Sequence, residues 1–198
     1  AMSHAGYELN TFVKIHWIDS ENISKENVKE VFHGLHGIIV PGGFGNRGIE
    51  GMVLAAKYAR ENRIPYFGIC LGMQIAVIEF ARNVLGLSDA HSGEFDEQCT
   101  HKVIDFMPGQ SDEIDKGGTL RLGSYPCSIK QGTRMEKCYN AEIISERHRH
   151  RYEFNNNYRE KLTEAGLVIS GTSPDNRLVE TVEIEEHPFF VGVQFHPE

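Results

Sequence analysis

The sequence contains no long apolar run, and this absence excludes membrane-spanning proteins. No stretch approaches the roughly 20 apolar residues that a membrane helix requires. Residues 1–10 show no signal-peptide pattern. With 198 residues and 40% hydrophobic content, the chain can bury a sizeable core. It is therefore predicted to be one soluble, cytoplasmic domain with no membrane partner.

Cysteine is scarce, and its spacing excludes two further classes. The four cysteines contain no C-x-x-C pair, so neither a zinc site nor a disulfide framework is predicted. The phosphate-loop pattern G-x-x-x-x-G-K-[ST] is also missing, so the sequence predicts no ATP site in this chain. The sequence thus predicts a domain with no metal and no cofactor of its own.

Positive charge is in deficit, with 20 Lys and Arg against 28 Asp and Glu and a formal net charge of -8. Duplex binding relies on clustered cations, so no nucleic-acid partner is predicted. The exception is the run Arg147-His148-Arg149-His150-Arg151. Such a run is most often a solvated face and less often an anion or RNA patch. Because apolar alternation resumes at Tyr152, we interpret it as flanking a strand beside the substrate or a neighbouring domain.

The most informative motif that is present is Gly68-Ile69-Cys70-Leu71-Gly72. An apolar run precedes it and a helical pattern follows, which is typical of a nucleophile elbow, whose tight turn demands small flanking residues. At a helix start, Cys70 would lie near unpaired N–H groups that lower a thiol pKa. The alternative is a buried structural cysteine. Cys70 is the candidate nucleophile.

A candidate base and its orienter occur in Phe195-His196-Pro197-Glu198. If residues 190–198 continue as a strand, His196 and Glu198 project to one face, and the carboxylate can fix the imidazole tautomer. The H-x-E spacing also arises by chance at polar strand ends. Together with Cys70, these two residues predict a Cys-His-Glu triad.

An oxyanion hole is the third requirement for acyl transfer. The apolar residues 38–40 lead into Pro41-Gly42-Gly43-Phe44-Gly45, a glycine-rich turn whose N–H groups can point at a ligand. The N–H groups of Gly43 and Leu71 are the predicted donors. The alternatives are an ordinary strand-to-helix turn and a phosphate loop, which would need a following G-K-[ST].

Alternating strand and helix patterns predict an α/β fold with an open, mostly parallel twisted sheet and helices on both faces. Predicted helices cover residues 25–32, with Ser24 as the N-cap, and residues 49–59, 71–85 and 155–165. Predicted strands cover residues 13–18, 37–40, 65–69, 103–106, 119–122, 141–145, 167–172, 177–184 and 190–195. The catalytic groups would then lie at the carboxyl ends of strands, where such sheets bind ligands.

These motifs resemble those of the class I, triad-type glutamine amidotransferases. Three further stretches resemble the C-terminal glutaminase domain of the CTP synthase family: GGTLRLG at residues 117–123, ERHRHRYEFN at 146–155 and HPFFVGVQ at 187–194. The likeness covers residues 4–198, with six blocks in family order. It implies a flavodoxin-like core and a single glutaminase domain, residues 1–198, as a fragment that lacks an N-terminal synthetase domain.

The resemblance also implies roles for individual residues. Cys70, His196 and Glu198 would form the triad. The residues implied to contact glutamine are Gly43, Leu71, Gly72, Met73, Gln74, Glu94 and Arg151. A carboxylate at Glu94 suits the substrate ammonium, and Arg151 suits its carboxylate. Arg121 lies in a block that the family ties to a GTP-sensitive lid, which makes it the regulatory candidate.

The implied activity is hydrolysis of L-glutamine to glutamate and ammonia through a cysteinyl thioester. The ammonia would pass to a synthetase domain that uses ATP and Mg²⁺ to aminate UTP to CTP, with GTP as an allosteric activator. The full-length enzyme would be a homotetramer of pyrimidine biosynthesis. Two alternatives stay open: the amidotransferase domain of another synthase, and a non-enzymatic interaction module on the same fold.

Overall fold

The computed structural model describes residues 1–106 and 121–197. Its six α-helices are α1 (Met2–Glu8), α2 (Val28–Val31), α3 (Ile49–Glu61), α4 (Leu71–Asn83), α5 (Arg134–Tyr139) and α6 (Arg159–Glu164). Its strands are β1 (Ile38–Val40), β2 (Tyr66–Ile69), β3 (His91–Ser92), β4 (Lys102–Asp105), β5 (Arg121–Ile129), β6 (Ile143–His150), β7 (Glu153–Phe154), β8 (Val168–Thr172), β9 (Val179–Glu183) and β10 (Phe190–Val193). Single 3₁₀ turns occur at Ser20–Asn22 and Asn156–Tyr158.

Seven of the strands form one open sheet in the order β1-β2-β10-β9-β8-β5-β6. Strand β2 pairs in parallel with β1 and with β10, and the remaining pairs are antiparallel. A second sheet has the order β3-β4-β7. The α/β class and the open sheet are confirmed, and parallel pairing in the large sheet is confined to β1, β2 and β10. These three strands are the ones that carry the candidate site.

Apolar residues cover both faces of the large sheet, because neighbouring side chains along a strand point to opposite sides. On one face, Tyr66 and Phe190 join the core cluster that includes residues of α3 and α4, and their rings stack with centroids 4.6 Å apart. On the other face, Val191 and Val193 pack in a cluster with Met135 of α5. Helices therefore lie on both faces, as predicted.

Four sequence-based expectations about local structure are wrong. Residues 13–18 form no strand, and Phe12 and Trp17 on this segment are each 91% exposed. The β-branched residues there have strand propensity, but a strand also needs a neighbour to pair with, and the described residues supply none. The predicted helix 25–32 shrinks to Val28–Val31 with Asn27 as its N-cap.

Ser24 is not the N-cap because its hydroxyl accepts a hydrogen bond from the N–H of Glu26, in the turn that precedes α2. The final strand also ends at Val193, so residues 190–198 are not one continuous strand. His196 forms an isolated bridge with Arg147 instead. The predicted strand residues 119 and 120, and Glu198, lie outside the described residues.

Within the described part of the chain, no helix has both the length and the apolar composition needed to cross a membrane.

Candidate active site

Cys70 occupies a strained turn between β2 and α4. Its φ of 54° and ψ of -103° lie outside the regions that non-glycine residues favour. The N–H of Cys70 donates to the Val193 carbonyl at 2.7 Å, which ties the turn to the end of β10. The tight turn that the motif predicts is therefore present, and its backbone strain marks Cys70 as a candidate functional residue.

The two glycines that flank Cys70 are required by close backbone packing. A methyl group on Gly68 would lie 2.4 Å from the Gly72 carbonyl oxygen. A methyl group on Gly72 would lie 2.1 Å from the carbonyl oxygen of Val40. Both distances are far below van der Waals contact, so only glycine fits. This packing brings the start of α4 against the end of β1.

The glycine-rich turn after β1 contacts both sides of the site. A methyl group on Gly42 would lie 2.5 Å from Cε1 of His196, and one on Gly43 would lie 3.2 Å from Cδ2 of Leu71. The N–H of His196 donates to the Arg147 carbonyl at 2.8 Å. The turn, the start of α4 and the segment after β10 thus converge. Glu198, the predicted orienter, lies outside the described residues.

The Cys70 thiol is 5% exposed, and burial raises its pKa to about 11. The N–H of Leu71 and the side-chain amide of Gln194 lower the pKa, while the carboxylates of Glu94 and Glu153 raise it further. The helix start therefore lowers the thiol pKa as expected, but the net pKa of the resting thiol is raised. The rise in pKa caused by desolvation is larger than the fall caused by the local N–H groups, because little water reaches the sulfur.

Glu94 is exposed, and its charge acts on the Cys70 thiol, while the charge of the exposed Arg151 acts on Glu94. Partial desolvation raises the pKa of the Glu94 carboxyl, while the Gly45 N–H and the Arg151 guanidinium lower it. Both side chains keep solvent access. An acidic and a basic group that both face solvent suit a ligand with an ammonium and a carboxylate.

Met73 and Gln74 lie in the first turn of α4, which follows Cys70 directly. Both side chains are buried, and a methyl group on Gly192 would lie 3.0 Å from Cβ of Met73. The Gln74 amide donates to the Tyr152 carbonyl at 3.1 Å. These two side chains therefore face the protein interior and support the turn that carries Cys70.

Arg121 is part of a buried network of charged and polar groups. Its guanidinium donates to Glu153 at 3.2 Å and to Glu180 at 2.7 Å, and it lies 4.7 Å from the ring centre of Tyr125. Burial raises the pKa of Glu153 to about 8, although Arg121 opposes the shift. Arg121 thus compensates two buried carboxyl groups, one of which, Glu153, acts electrostatically on the Cys70 thiol.

Two histidines of β6 complete this network. His148 and His150 contact each other at 2.9 Å between Nδ1 and Nε2, and Nε2 of His148 lies 3.6 Å from Glu180. Burial and Arg121 lower their pKa values, to about 2 for His148 and about 3 for His150. Both rings are therefore neutral near pH 7.

The burial of these histidines was not predicted from the sequence, although a signal exists. In the run from Arg147 to Arg151, period-2 alternation on β6 exposes the arginines and buries the histidines. Gln194 was not predicted either: its amide lies 3.8 Å from the Cys70 sulfur, and a neutral glutamine carries no comparable signal. No group of three or more His, Cys, Asp or Glu residues in the described ranges is arranged to hold a metal ion.

The model of the class I glutamine amidotransferase family matches residues 1–198, the whole chain. The chain belongs to this family. In sequence, the amidotransferase domain is 60% identical over all 198 residues to the CTP synthase of Clostridium acetobutylicum and 58% identical to that of Listeria innocua. In both cases it spans 37% of the relative's length.

Solved structures agree with this assignment. The domain matches the structure described as the Trypanosoma brucei CTPS glutaminase domain with bound acivicin, with a TM-score of 0.93 and 43% identity. That match covers 98% of this chain and 76% of the other. A glutamine amidotransferase from Thermotoga maritima is 16% identical with a TM-score of 0.60, covering 98% of this chain and 68% of the other, and shares the fold.

Proposed function

We propose that this domain hydrolyses the side-chain amide of L-glutamine and supplies the ammonia to a CTP-forming synthetase. The observation that carries the proposal is the convergence of a strained Cys70 turn, the Gly42-Gly43 turn and His196 at the ends of β1, β2 and β10. The likeness to the glutaminase domain from Trypanosoma brucei supports the same reaction. Residues 1–198 act in this proposal as one glutaminase domain.

The proposed reaction proceeds in two steps. His196 takes the thiol proton as the Cys70 sulfur attacks the glutamine carbonyl, and the N–H groups of Gly43 and Leu71 hold the oxyanion. The C–N bond then breaks, His196 returns the proton to the leaving ammonia, and a glutamyl thioester remains.

Water attacks the thioester with His196 as the base, which releases glutamate and restores the thiol. Glu198 orients His196 throughout. Because burial keeps the resting thiol protonated, the transfer of its proton to His196 belongs to the attack itself.

Recognition of the amino-acid end of glutamine is assigned to Glu94 and Arg151. The Glu94 carboxylate would pair with the substrate ammonium and the Arg151 guanidinium with its carboxylate. Leu71 and Gly72 would form the floor of the site, and the backbone of Met73 and Gln74 would continue it, since their side chains face the interior. A substrate that carries both charges would thus be held with its side-chain amide directed toward Cys70.

The partner of the domain follows from the family. The chain spans 37% of the length of the CTP synthases it matches, so the synthetase activity is assigned to a separate domain. That domain would use ATP, Mg²⁺ and UTP in the cytoplasm, with GTP as an activator and a homotetramer as the full assembly. Arg121 is the proposed point of regulation.

The test is a glutaminase assay of the purified domain, with and without a CTP synthetase domain. Glutamate should form, CTP should not form without the partner, and Cys70→Ser should abolish glutamate release. Adding the partner with UTP, ATP and GTP should raise the rate, since closure by a partner completes many active sites. CTP made by the domain alone, or full activity of the Cys70→Ser variant, would refute the proposal.

A further inference from the structure

Two buried glutamines form a hydrogen-bonded chain that ends on the Cys70 sulfur. Gln74 is 3% exposed and Gln194 is 0% exposed. The amide nitrogen of Gln74 lies 3.1 Å from the Tyr152 carbonyl and 3.3 Å from Oε1 of Gln194. The amide nitrogen of Gln194 lies 3.8 Å from Sγ of Cys70. The chain therefore links the segment after β6 to the nucleophile.

The Tyr152 carbonyl fixes the direction of this chain. A carbonyl can only accept, so Gln74 must turn its NH₂ group toward Tyr152. The second hydrogen of that NH₂ group is donated to Oε1 of Gln194. Gln194 must then present its own NH₂ group to the sulfur. Reversing Gln74 would place its Oε1 against the Tyr152 carbonyl, which opposes two acceptors. Reversing Gln194 would place its NH₂ group against that of Gln74, which opposes two donors, and either mismatch is costly in a buried place.

The backbone holds both glutamines in place. The Gln74 N–H lies in the first turn of α4 and donates to the Cys70 carbonyl at 3.3 Å. The Gln194 N–H donates to the Glu180 carbonyl at 2.8 Å. Because both side chains are also packed in the interior, neither amide can readily turn away from the sulfur.

We propose that Gln194 is a hydrogen-bond donor to the reacting sulfur and that Gln74 is the residue that positions it. The donor favours the anionic sulfur that forms during attack, in a site where burial and the Glu94 carboxylate oppose that charge. In the resting site, before substrate binds, the N–H group of Leu71 also lowers the pKa of this thiol. The inference rests on the proposed glutaminase function, with His196 as the base, and deepens it.

The test measures alkylation of Cys70 by iodoacetamide from pH 6 to 10, followed by peptide mass spectrometry. Gln194→Met removes the donor with little change of volume. It should make alkylation of Cys70 about three- to tenfold slower at each pH in this range, because loss of the donor raises the pKa of the thiol by about one. Gln74→Met should cause a smaller shift in the same direction, because Gln194 then loses its orienting partner. Glutamine turnover should fall with the thiolate fraction.

Two controls separate this role from a structural one. Within the same sample, the exposed Cys138 reports any change in reagent reactivity, and the buried Cys127 reports general loosening by becoming accessible. Thr181→Val removes a buried hydrogen bond to Ser170, 2.7 Å long, on β9 beside β10, and should leave the Cys70 profile unchanged because it keeps the donor to the sulfur. If Gln194→Met fails to fold, Gln74→Met decides the matter alone.

An unchanged Cys70 profile in the folded variants, or an equal change at Cys138, would overturn the inference. Because alkylation needs no turnover, the outcome is independent of the proposed function. If wild type does not hydrolyse glutamine but the profile shifts as expected, the function fails while the hydrogen bond to the sulfur stands.

Discussion

The imidazole of His196 lies directly against the backbone of Gly42, with room there for a hydrogen but not for a methyl group. A methyl carbon at this position would lie 2.5 Å from Cε1 of His196. Gly42 is not among the residues with positive φ, so its conformation would accept alanine. The glycine is therefore needed for the space that it leaves to the ring.

Gly42→Ala should push the His196 ring out of place while the fold survives. A misplacement of about 1 Å can cost about 100-fold in rate, so we expect a fall in kcat of about 10- to 100-fold. Steady-state glutaminase kinetics and thermal unfolding measure the two effects. The matched control is Gly37→Ala, where the nearest atom would lie at 3.6 Å, an ordinary contact. Equal activity of both variants would contradict the assignment of His196.

Cys70→Gly and Cys70→Ala should both be inactive but should differ in stability. The φ of 54° at Cys70 suits glycine and strains alanine. The glycine variant should therefore unfold at a higher temperature, with a difference of about 1 kcal/mol in the free energy of unfolding. Comparing two variants that both lack the thiol removes the effect of its burial. A more stable alanine variant would show that the turn is not strained.

Glu94→Gln and Arg151→Gln should mainly raise KM for glutamine. Their proposed contacts are with the unreactive end of the substrate, which is bound alike in the ground and transition states. A rise of about 10- to 100-fold corresponds to one lost charged hydrogen bond. Arg149→Gln is the matched control, because Arg149 is also exposed and lies two residues away on the same run. An unchanged KM in both variants would remove Glu94 and Arg151 from the site.

His148 should make the domain less stable as the pH falls. Its pKa is lowered to about 2 in the folded state, so between that value and the ordinary 6.5 the unfolded chain binds one proton more. The slope of stability with pH is then positive, and the fold loses about 1.4 kcal/mol per pH unit below about 6.5 from this group. Denaturant titrations of wild type and His148→Asn from pH 7 to 5 should show a smaller loss in the variant. Parallel curves would contradict a neutral, buried His148.

Arg121→Met should destabilise the domain whether or not a partner is present. It leaves Glu153 and Glu180 buried without their cation, which typically costs about 3–5 kcal/mol. Chemical denaturation measures the loss. Adding Glu153→Gln and Glu180→Gln to Arg121→Met should recover part of the lost stability, because the carboxyl groups that lack a cation are then gone. If Arg121→Met keeps wild-type stability and loses only its GTP response, Arg121 is regulatory alone.

The sequence alone determines the parts of the site that depend on neighbours close along the chain. The elbow is one example, because Gly68 and Gly72 meet across four residues and their spacing is visible in the motif. The alternation in the run from Arg147 to Arg151 is another, because a strand places its arginines and histidines on opposite faces, although which face is buried was not predicted. The elements from residue 37 to residue 85 were predictable for the same reason.

Only the tertiary structure decides what depends on distant segments. Residues 13–18 have strand propensity, but pairing requires a neighbour that no local pattern supplies. The contact of Gly42 with His196 joins positions 154 residues apart, 196 minus 42. The thiol pKa is raised because the chain closes over Cys70, and desolvation then exceeds the effect of the helix start. Gln194 has no motif of its own, and it reaches the sulfur only because Val193 binds the Cys70 N–H and so sets β10 beside the elbow.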